Sequence, residues 1–233
     1  RDQRPRPRGE SLMPTPPRAV LFDLDGTLVD SAPDLCNAVN RVLADLGRPP
    51  VALSRLRQVV SKGGRAMLAV ALPDLDDAAR EARLAPFLAY YGEALANDSV
   101  AFDGVDELLA ALDARGIAWG IVTNKPEGLA RGVVEGFGWS TRCKVLVGGD
   151  TLPKRKPDPE PLLFACTQLG IAPGDAIYVG DDQRDIEAAR AAGMPSVAAL
   201  WGYREPHEDP SQWGADHAFD GAAGLLASDL LSP

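Results

Sequence analysis

Short apolar runs that stop abruptly at polar residues recur along the chain. Ala19-Val20-Leu21-Phe22 ends at Asp23, Trp119-Gly120-Ile121-Val122 at Thr123-Asn124, and Ala176-Ile177-Tyr178-Val179 at Gly180-Asp181-Asp182. Lys144-Val145-Leu146-Val147 runs into Gly148-Gly149-Asp150, and residues 196–200 form a fifth run. Runs this short and continuous predict buried strands. Helical patterns lie between them. Residues 106–115 place Leu108, Leu109 and Leu112 on one side and stop at Gly116, where a C-cap glycine belongs. Residues 161–169 stop at Gly170 and residues 185–192 at Gly193, while 127–137 is a weaker pattern broken by Gly128, Gly132 and Gly136. Strands alternating with helices predict an α/β fold of parallel βαβ units, with helices on both faces of the sheet. Ligands in such folds bind beyond the carboxyl ends of the strands, where these polar residues begin.

The pattern changes over residues 33–99, which offer helical period and no strand. Leu35, Val39, Val42, Leu43 and Leu46 form one stripe ending at Gly47, and 53–60, 65–71 and 78–96 also read as helices. This predicts a small helical domain inserted after the first strand, with residues 92–100 returning the chain to the core. No internal repeat of useful period is visible.

The strand ends carry the candidate chemistry. Asp23 and Asp25 stand two residues apart, and Gly26 permits a turn that aims both carboxylates into one crevice. Turns also favour Asp and Gly for their own sake. Two carboxylates in a cleft repel each other, and a divalent cation with a preference for hard oxygen ligands, such as magnesium, would offset this. An EF-hand is excluded by the position of Gly26 in the loop. Thr123 offers a hydroxyl and, with Asn124, backbone N–H groups. Lys156 precedes a helix whose N-terminus favours an anion, although with Lys154 and Arg155 beside it a solvated lysine is the alternative. Asp181, Asp182 and Asp185 add carboxylates, of which helix N-terminal enrichment accounts for one.

Composition narrows the possibilities. The chain has 233 residues, 45% hydrophobic and 24% charged, enough for a sizeable core. A net charge of -9 argues against a nucleic-acid partner, since phosphate backbones call for clustered Lys and Arg. Three scattered cysteines, Cys36, Cys143 and Cys166, form no CxxC pair, which argues against zinc and a disulfide framework and fits a cytoplasmic protein. No run of 18 apolar residues predicts a membrane span. Residues 1–17, rich in Arg and Pro, read as a disordered tail rather than a basic docking arm, with Met13 a candidate initiator. The two histidines, His207 and His217, lie late in the chain and read as loop or surface residues. No HExxH, P-loop or GxGxxG motif is present.

Each signal alone is weak, and their order is what identifies them. The segments DLDGTLVD, VTNK, KPDPEP and GDDQRDIEAARAAG resemble the four ordered motifs of the haloacid dehalogenase (HAD) superfamily, across residues 18 to about 200. The resemblance implies a Rossmann-like three-layer core, residues 18–32 and 100–233, and a helical cap of the smaller type (C1), residues 33–99. It implies a phosphatase in which Asp23 attacks phosphorus to form an aspartyl-phosphate and Asp25 protonates the leaving oxygen, then activates water. Thr123, Asn124 and Lys156 would hold the phosphoryl group. Asp23, the backbone carbonyl of Asp25, and Asp181 would coordinate Mg2+, with Asp185 behind them orienting a water or Lys156. Asp182 receives no ligand role. Dehalogenases of the superfamily lack an Asp at the position of Asp25.

Within the cap, Ser61-Lys62-Gly63-Gly64-Arg65 is the candidate substrate loop, Lys62 and Arg65 being placed to meet a carboxylate or sugar hydroxyl; an ordinary loop entering a helix is the alternative. LVDSAPD, IVTNKP and VGGD resemble phosphoglycolate phosphatases, whereas VVSKGGRAM, KPDPEPLLFAC, GDDQRDIEAAR and GYREPHEDPSQWGAD look closer to bacterial N-acetylmuramic acid 6-phosphate phosphatases. Both substrates are carboxylate-bearing phosphomonoesters. A sugar-phosphate mutase and a non-catalytic module binding a phosphorylated ligand are the other readings. The expected partner is a small phosphomonoester, for a monomer or weak homodimer.

Overall fold

The computed structural model of the protein describes residues 16–232. All but Pro16 and Pro17 of the expected tail, Met13 included, falls outside the described residues. The six strands β1 (Ala19–Phe22), β4 (Ala118–Val122), β5 (Leu146–Val147), β6 (Ala176–Gly180), β7 (Ser196–Ala199) and β8 (His217–Phe219) form one parallel sheet in the order β5-β4-β1-β6-β7-β8. The fold is α/β. Burial on both faces explains the continuous apolar runs. Val20 and Phe22 of β1 pack with Leu108, Leu109 and Val133, whereas Ala19 and Leu21 pack with Leu162, Ala165 and Ala188. Alternate residues of one strand therefore anchor the two outer layers: α6 (Val105–Ala114) and α7 (Glu127–Gly136) on one side, α8 (Glu160–Leu169) and α9 (Gln183–Ala192) on the other. A last short helix, α10 (Ala222–Leu226), packs beside α6.

Three expectations shift. The run at 144–147 yields strand only at Leu146 and Val147, although Lys144 N–H still bonds Trp119 O and Val145 O still accepts from Ile121 N–H. The strand β8 was not anticipated, because three residues His-Ala-Phe carry too little pattern. The expected helix 78–96 is two, α4 (Asp77–Glu81) and α5 (Leu84–Gly92). Pro86 has no N–H to continue a helix from the preceding turn, and it sits in the first turn of α5, where none is needed.

The chain leaves the core through β2 (Val29–Asp30) and re-enters through β3 (Val100–Ala101), an antiparallel pair in which Val29 faces Ala101. Between them lie α1 (Ala32–Asp45), α2 (Leu53–Arg57), α3 (Gly64–Ala71), α4 and α5, with no strand among residues 31–99. Asp34 of α1, buried, ties this exit to the return. Its carboxylate accepts from the N–H groups of Asn97, Asp98 and Ser99 at 3.1, 2.9 and 3.0 Å, and from the Ser99 hydroxyl at 2.5 Å. Replacing Asp34 by Ala strands four donors and is expected to cost about 2–4 kcal/mol of stability, read from urea denaturation. A loss within error would show that water replaces the carboxylate freely. Among the described residues no helix is long and apolar enough to cross a membrane.

Candidate active site

The ends of β1, β4 and β6 meet at one cavity whose lining includes Asp23, Asp25, Thr123, Asn124, Lys156 and Asp185. Asp23 follows β1 directly, its N–H held by Val179 O at 2.9 Å, and its Oδ1 accepts from Leu24 N–H at 2.8 Å. The Lys156 ammonium lies 3.1 Å from Asp23 Oδ1 and 2.7 Å from Asp185 Oδ1, with its side chain only 2% exposed. It donates to the buried Tyr178 hydroxyl at 2.6 Å, which donates in turn to Val122 O at 2.6 Å. Burial opposes the charge on Lys156, but Asp185 and Asp23 outweigh it and hold its pKa above the usual lysine value. The lysine is thus an interior cation, and the solvated alternative is set aside. Asn124 ties two loops together by donating its Nδ2 to Lys156 O at 2.9 Å, while its buried Oδ1 has no partner among the described residues.

Asp25 is carried into the same cavity by a tight turn in which Gly26 N–H bonds Val29 O at 3.0 Å. Gly26 has φ of 88°, and a Cβ there would collide with the Asp181 carboxylate. The Asp25 carboxylate faces Lys125, whose ammonium lies 3.0 Å from each oxygen and 2.7 Å from the Tyr91 hydroxyl. Burial works against the charge on Lys125, but Asp25 and Tyr91 bring its pKa up to about 12. Neither Lys125 nor Tyr91 was among the expected site residues. Lys125 follows Thr123 and Asn124 in sequence, and nothing in the strand-end pattern says that its side chain turns inward.

Asp23, Asp181 and Asp185 bring carboxylate oxygens within 4.8 Å of one another. Asp181 is fully buried and held by neutral donors: the hydroxyls of Ser61 and Thr27 at 2.7 and 3.0 Å, and Tyr203 N–H at 3.0 Å. Burial, with Asp23 and Asp185 nearby, pushes its pKa well above the usual carboxylate range. Lys156 pairs with the other two, and among the described residues Asp181 has no ion-pair partner. Three hard oxygen donors around an uncompensated buried carboxylate fit a divalent metal ion. The third side chain of this cluster is Asp185 rather than Asp25, whose carboxylate is engaged by Lys125; the expectation for Asp25 concerned its carbonyl. Asp185 also sits beside Lys156 as expected. Asp182, left unassigned, caps α9 in a reciprocal capping box with Asp185. Burial would raise its pKa, but Arg184 and Lys62 beside it bring it down to about 2.

The helical insertion closes over these groups. Lys62, expected to meet substrate, bridges Asp182 and Glu208 at 2.7 and 2.5 Å, and Arg184 donates to Ser61 O. Arg65 pairs with the exposed Glu81 at 2.7 Å. Both expected cations line the cavity with their charges already partnered. The loop after β7 is tied to the segment after β1: Trp201 Nε1 donates to Thr27 O at 2.9 Å, and Tyr203 donates its hydroxyl to Asp30 at 2.6 Å. The cavity lining also includes the apolar side chains of Met67, Leu84, Phe87, Leu88 and Leu129. His207 and His217 are exposed and lie outside this cavity.

Comparison with known proteins agrees with this geometry. A family model described as haloacid dehalogenase-like hydrolase matches residues 20–199. The chain is 58% identical over 200 residues to a phosphoglycolate phosphatase of Xanthomonas campestris pv. campestris, covering 86% of this chain and 90% of that protein. It is 47% identical over 210 residues to the N-acetylmuramic acid 6-phosphate phosphatase of Pseudomonas aeruginosa, covering 90% and 93%. The crystal structure of a predicted phosphoglycolate phosphatase from Haemophilus somnus superposes with a TM-score of 0.80 at 33% identity, covering 90% of this chain and 96% of that one.

Proposed function

The chain belongs to the haloacid dehalogenase-like hydrolases, and from that premise we propose that it is a phosphatase hydrolysing a small carboxylate-bearing phosphomonoester of the phosphoglycolate type through a phosphoryl group carried on Asp23. The observation that carries this reading is the position of Asp23: a carboxylate at the end of β1, 3.1 Å from a buried ammonium, with Asp25 in the same cavity. Asp23 attacks phosphorus as the bond to the leaving oxygen breaks, and Asp25 gives that oxygen its proton. Asp25 then takes a proton from water, whose oxygen attacks the same phosphorus and releases Asp23. Splitting one displacement into two suits a carboxylate nucleophile. Lys156, Thr123 and Asn124 hold the phosphoryl oxygens, whose spread negative charge fixed cations stabilise. Mg2+ would be held by Asp23, Asp181 and the carbonyl of Asp25, with Asp185 adjacent, and when bound would supply positive charge beside the phosphoryl oxygens. Residues 18–32 and 100–233 act as the catalytic core and 33–99 as a cap that excludes water. Three free cysteines support a cytoplasmic setting.

A second reading, an amino-sugar 6-phosphate such as N-acetylmuramic acid 6-phosphate, has an observation of its own. The wall of Met67, Leu84, Phe87 and Leu88 exceeds anything a two-carbon glycolate offers, and a lactyl or acetyl methyl would contact it. Phosphate release with magnesium from 2-phosphoglycolate, N-acetylmuramic acid 6-phosphate and common sugar phosphates decides between them. Release from none of these overturns the phosphatase reading, and transfer between sugars without release points to a mutase. In the same panel Lys62→Ala is expected to raise KM about tenfold for every ester, because its partners join cap to core. Arg65→Ala should stay within about twofold, as for other exposed pairs. A change confined to one ester would instead assign Lys62 to substrate.

A further inference from the structure

We infer that Lys125 and Tyr91 position the carboxylate of Asp25, so that proton delivery to the leaving group depends on how α5 is seated on the core. The inference rests on the phosphatase reading and adds two residues to it. An ammonium has three N–H donors. On Lys125 they face the two Asp25 oxygens at 3.0 Å each and the Tyr91 hydroxyl at 2.7 Å. Every polar contact the ammonium makes among the described residues is to these two side chains. Lys125 is therefore a positioning residue, and the group it positions is the one that must face the leaving oxygen. Holding both carboxylate oxygens restricts rotation of the Asp25 side chain, so the lone pair left on each oxygen, which carries the proton to be transferred, keeps one direction.

The third acceptor comes from the helical insertion. Tyr91 lies in the last turn of α5, is fully buried, and places its ring 4.2 Å from the same ammonium. The end of α5 is keyed to α7, which begins two residues after Lys125. A Cβ at Gly132 would collide with Leu95, and one at Gly136 would come within 2.7 Å of the Ala96 Cβ. The glycines that weaken the helical pattern of α7 in sequence are thus the places where the chain leaving α5 packs against it. This one packing surface fixes both ends of the Tyr91–Lys125 hydrogen bond. When α5 lifts, Lys125 loses an acceptor and Asp25 loses its fixed direction.

The test is leaving-group dependence. An alkoxide needs the proton of Asp25, whereas 4-nitrophenolate departs without one. The parameter kcat/KM reports steps up to departure of the leaving group, so later hydrolysis of the phosphorylated enzyme does not enter. Lys125→Met is expected to lower kcat/KM for the alkyl ester that the wild type turns over, 2-phosphoglycolate or N-acetylmuramic acid 6-phosphate, at least about 30-fold more than for 4-nitrophenyl phosphate. Tyr91→Phe, which keeps the ring and removes only the hydroxyl, is expected to shift the same ratio about 3- to 10-fold, and it decides the matter if Lys125→Met does not fold. A ratio unmoved in the folded variants overturns the inference. If Asp23→Asn is inactive while the ratio is unmoved, only the positioning role falls; if Asp23→Asn stays active, the phosphatase reading itself falls.

Discussion

Asn in place of Asp23 is expected to cut phosphate release by at least about 10⁴-fold while leaving the protein as stable as before or more so. The two halves have separate physical origins. The amide cannot attack phosphorus, and no other carboxylate takes over: Asp25 is held by Lys125, Asp185 by Lys156, and Asp181 is buried among hydroxyl and N–H donors. The amide oxygen can still accept the Leu24 N–H that Asp23 now holds at 2.8 Å. Removing one charge from a cluster whose oxygens lie within 4.8 Å of one another relieves repulsion on Asp181. Lys156 loses one partner but keeps Asp185 and the Tyr178 hydroxyl. Phosphate release and thermal melting measured on the same preparation check both halves. Undiminished turnover would remove Asp23 from the chemistry. Lost turnover together with a sharply lower melting temperature would make the site dependent on Asp23 for folding, and the loss of activity would then say little about a nucleophile.

The parts legible in sequence share a property: the signal and its cause lie within one short segment. The strands β1, β4 and β6 are buried on both faces, so continuous apolar residues announce them, and the polar site residues at their ends follow in the next few positions. The clustering of Asp23, Asp181 and Lys156 follows from parallel strands ending on one edge. What sequence leaves unread is pairing across the chain. Lys62 meets Asp182 across 120 residues and Glu208 across 146, pairings that no local pattern announces. Lys125 and Asp25 are 100 residues apart, and only the fold shows that the lysine after Thr123 and Asn124 turns toward the first strand's loop. Asp185, expected behind the metal ligands, brings its carboxylate within 4.8 Å of those of Asp23 and Asp181, because the first turn of α9 points at the same spot as Asp23. The break between α4 and α5 was available in Pro86, but helical periodicity on both sides obscured it.

Lys156→Met should damage both folding and activity, and magnesium should separate the two. Methionine roughly fills the space of the lysine stem, so the change removes charge more than volume. It leaves Asp23 and Asp185 buried without the ammonium that now sits 3.1 and 2.7 Å from them, and the Tyr178 hydroxyl loses a donor. Breaking a buried pair from one side costs about 3–5 kcal/mol, because the remaining charge stays desolvated. With EDTA present, the unfolding free energy from urea denaturation should therefore fall by that amount. A divalent cation at about 100 times its Kd returns about 2.7 kcal/mol, and its effect on the variant should exceed its effect on the parent, since three carboxylates then have no competing cation. Under magnesium, where the variant is folded, phosphate release should still be down by about 10²–10³-fold, the size of effect seen when one fixed stabiliser of a developing charge is removed. Recovery of full turnover with magnesium would reduce Lys156 to a structural counter-charge. A variant that magnesium does not stabilise would argue against Asp23, Asp181 and Asp185 as a metal site, because those carboxylates would then be as exposed to repulsion with the ion as without it.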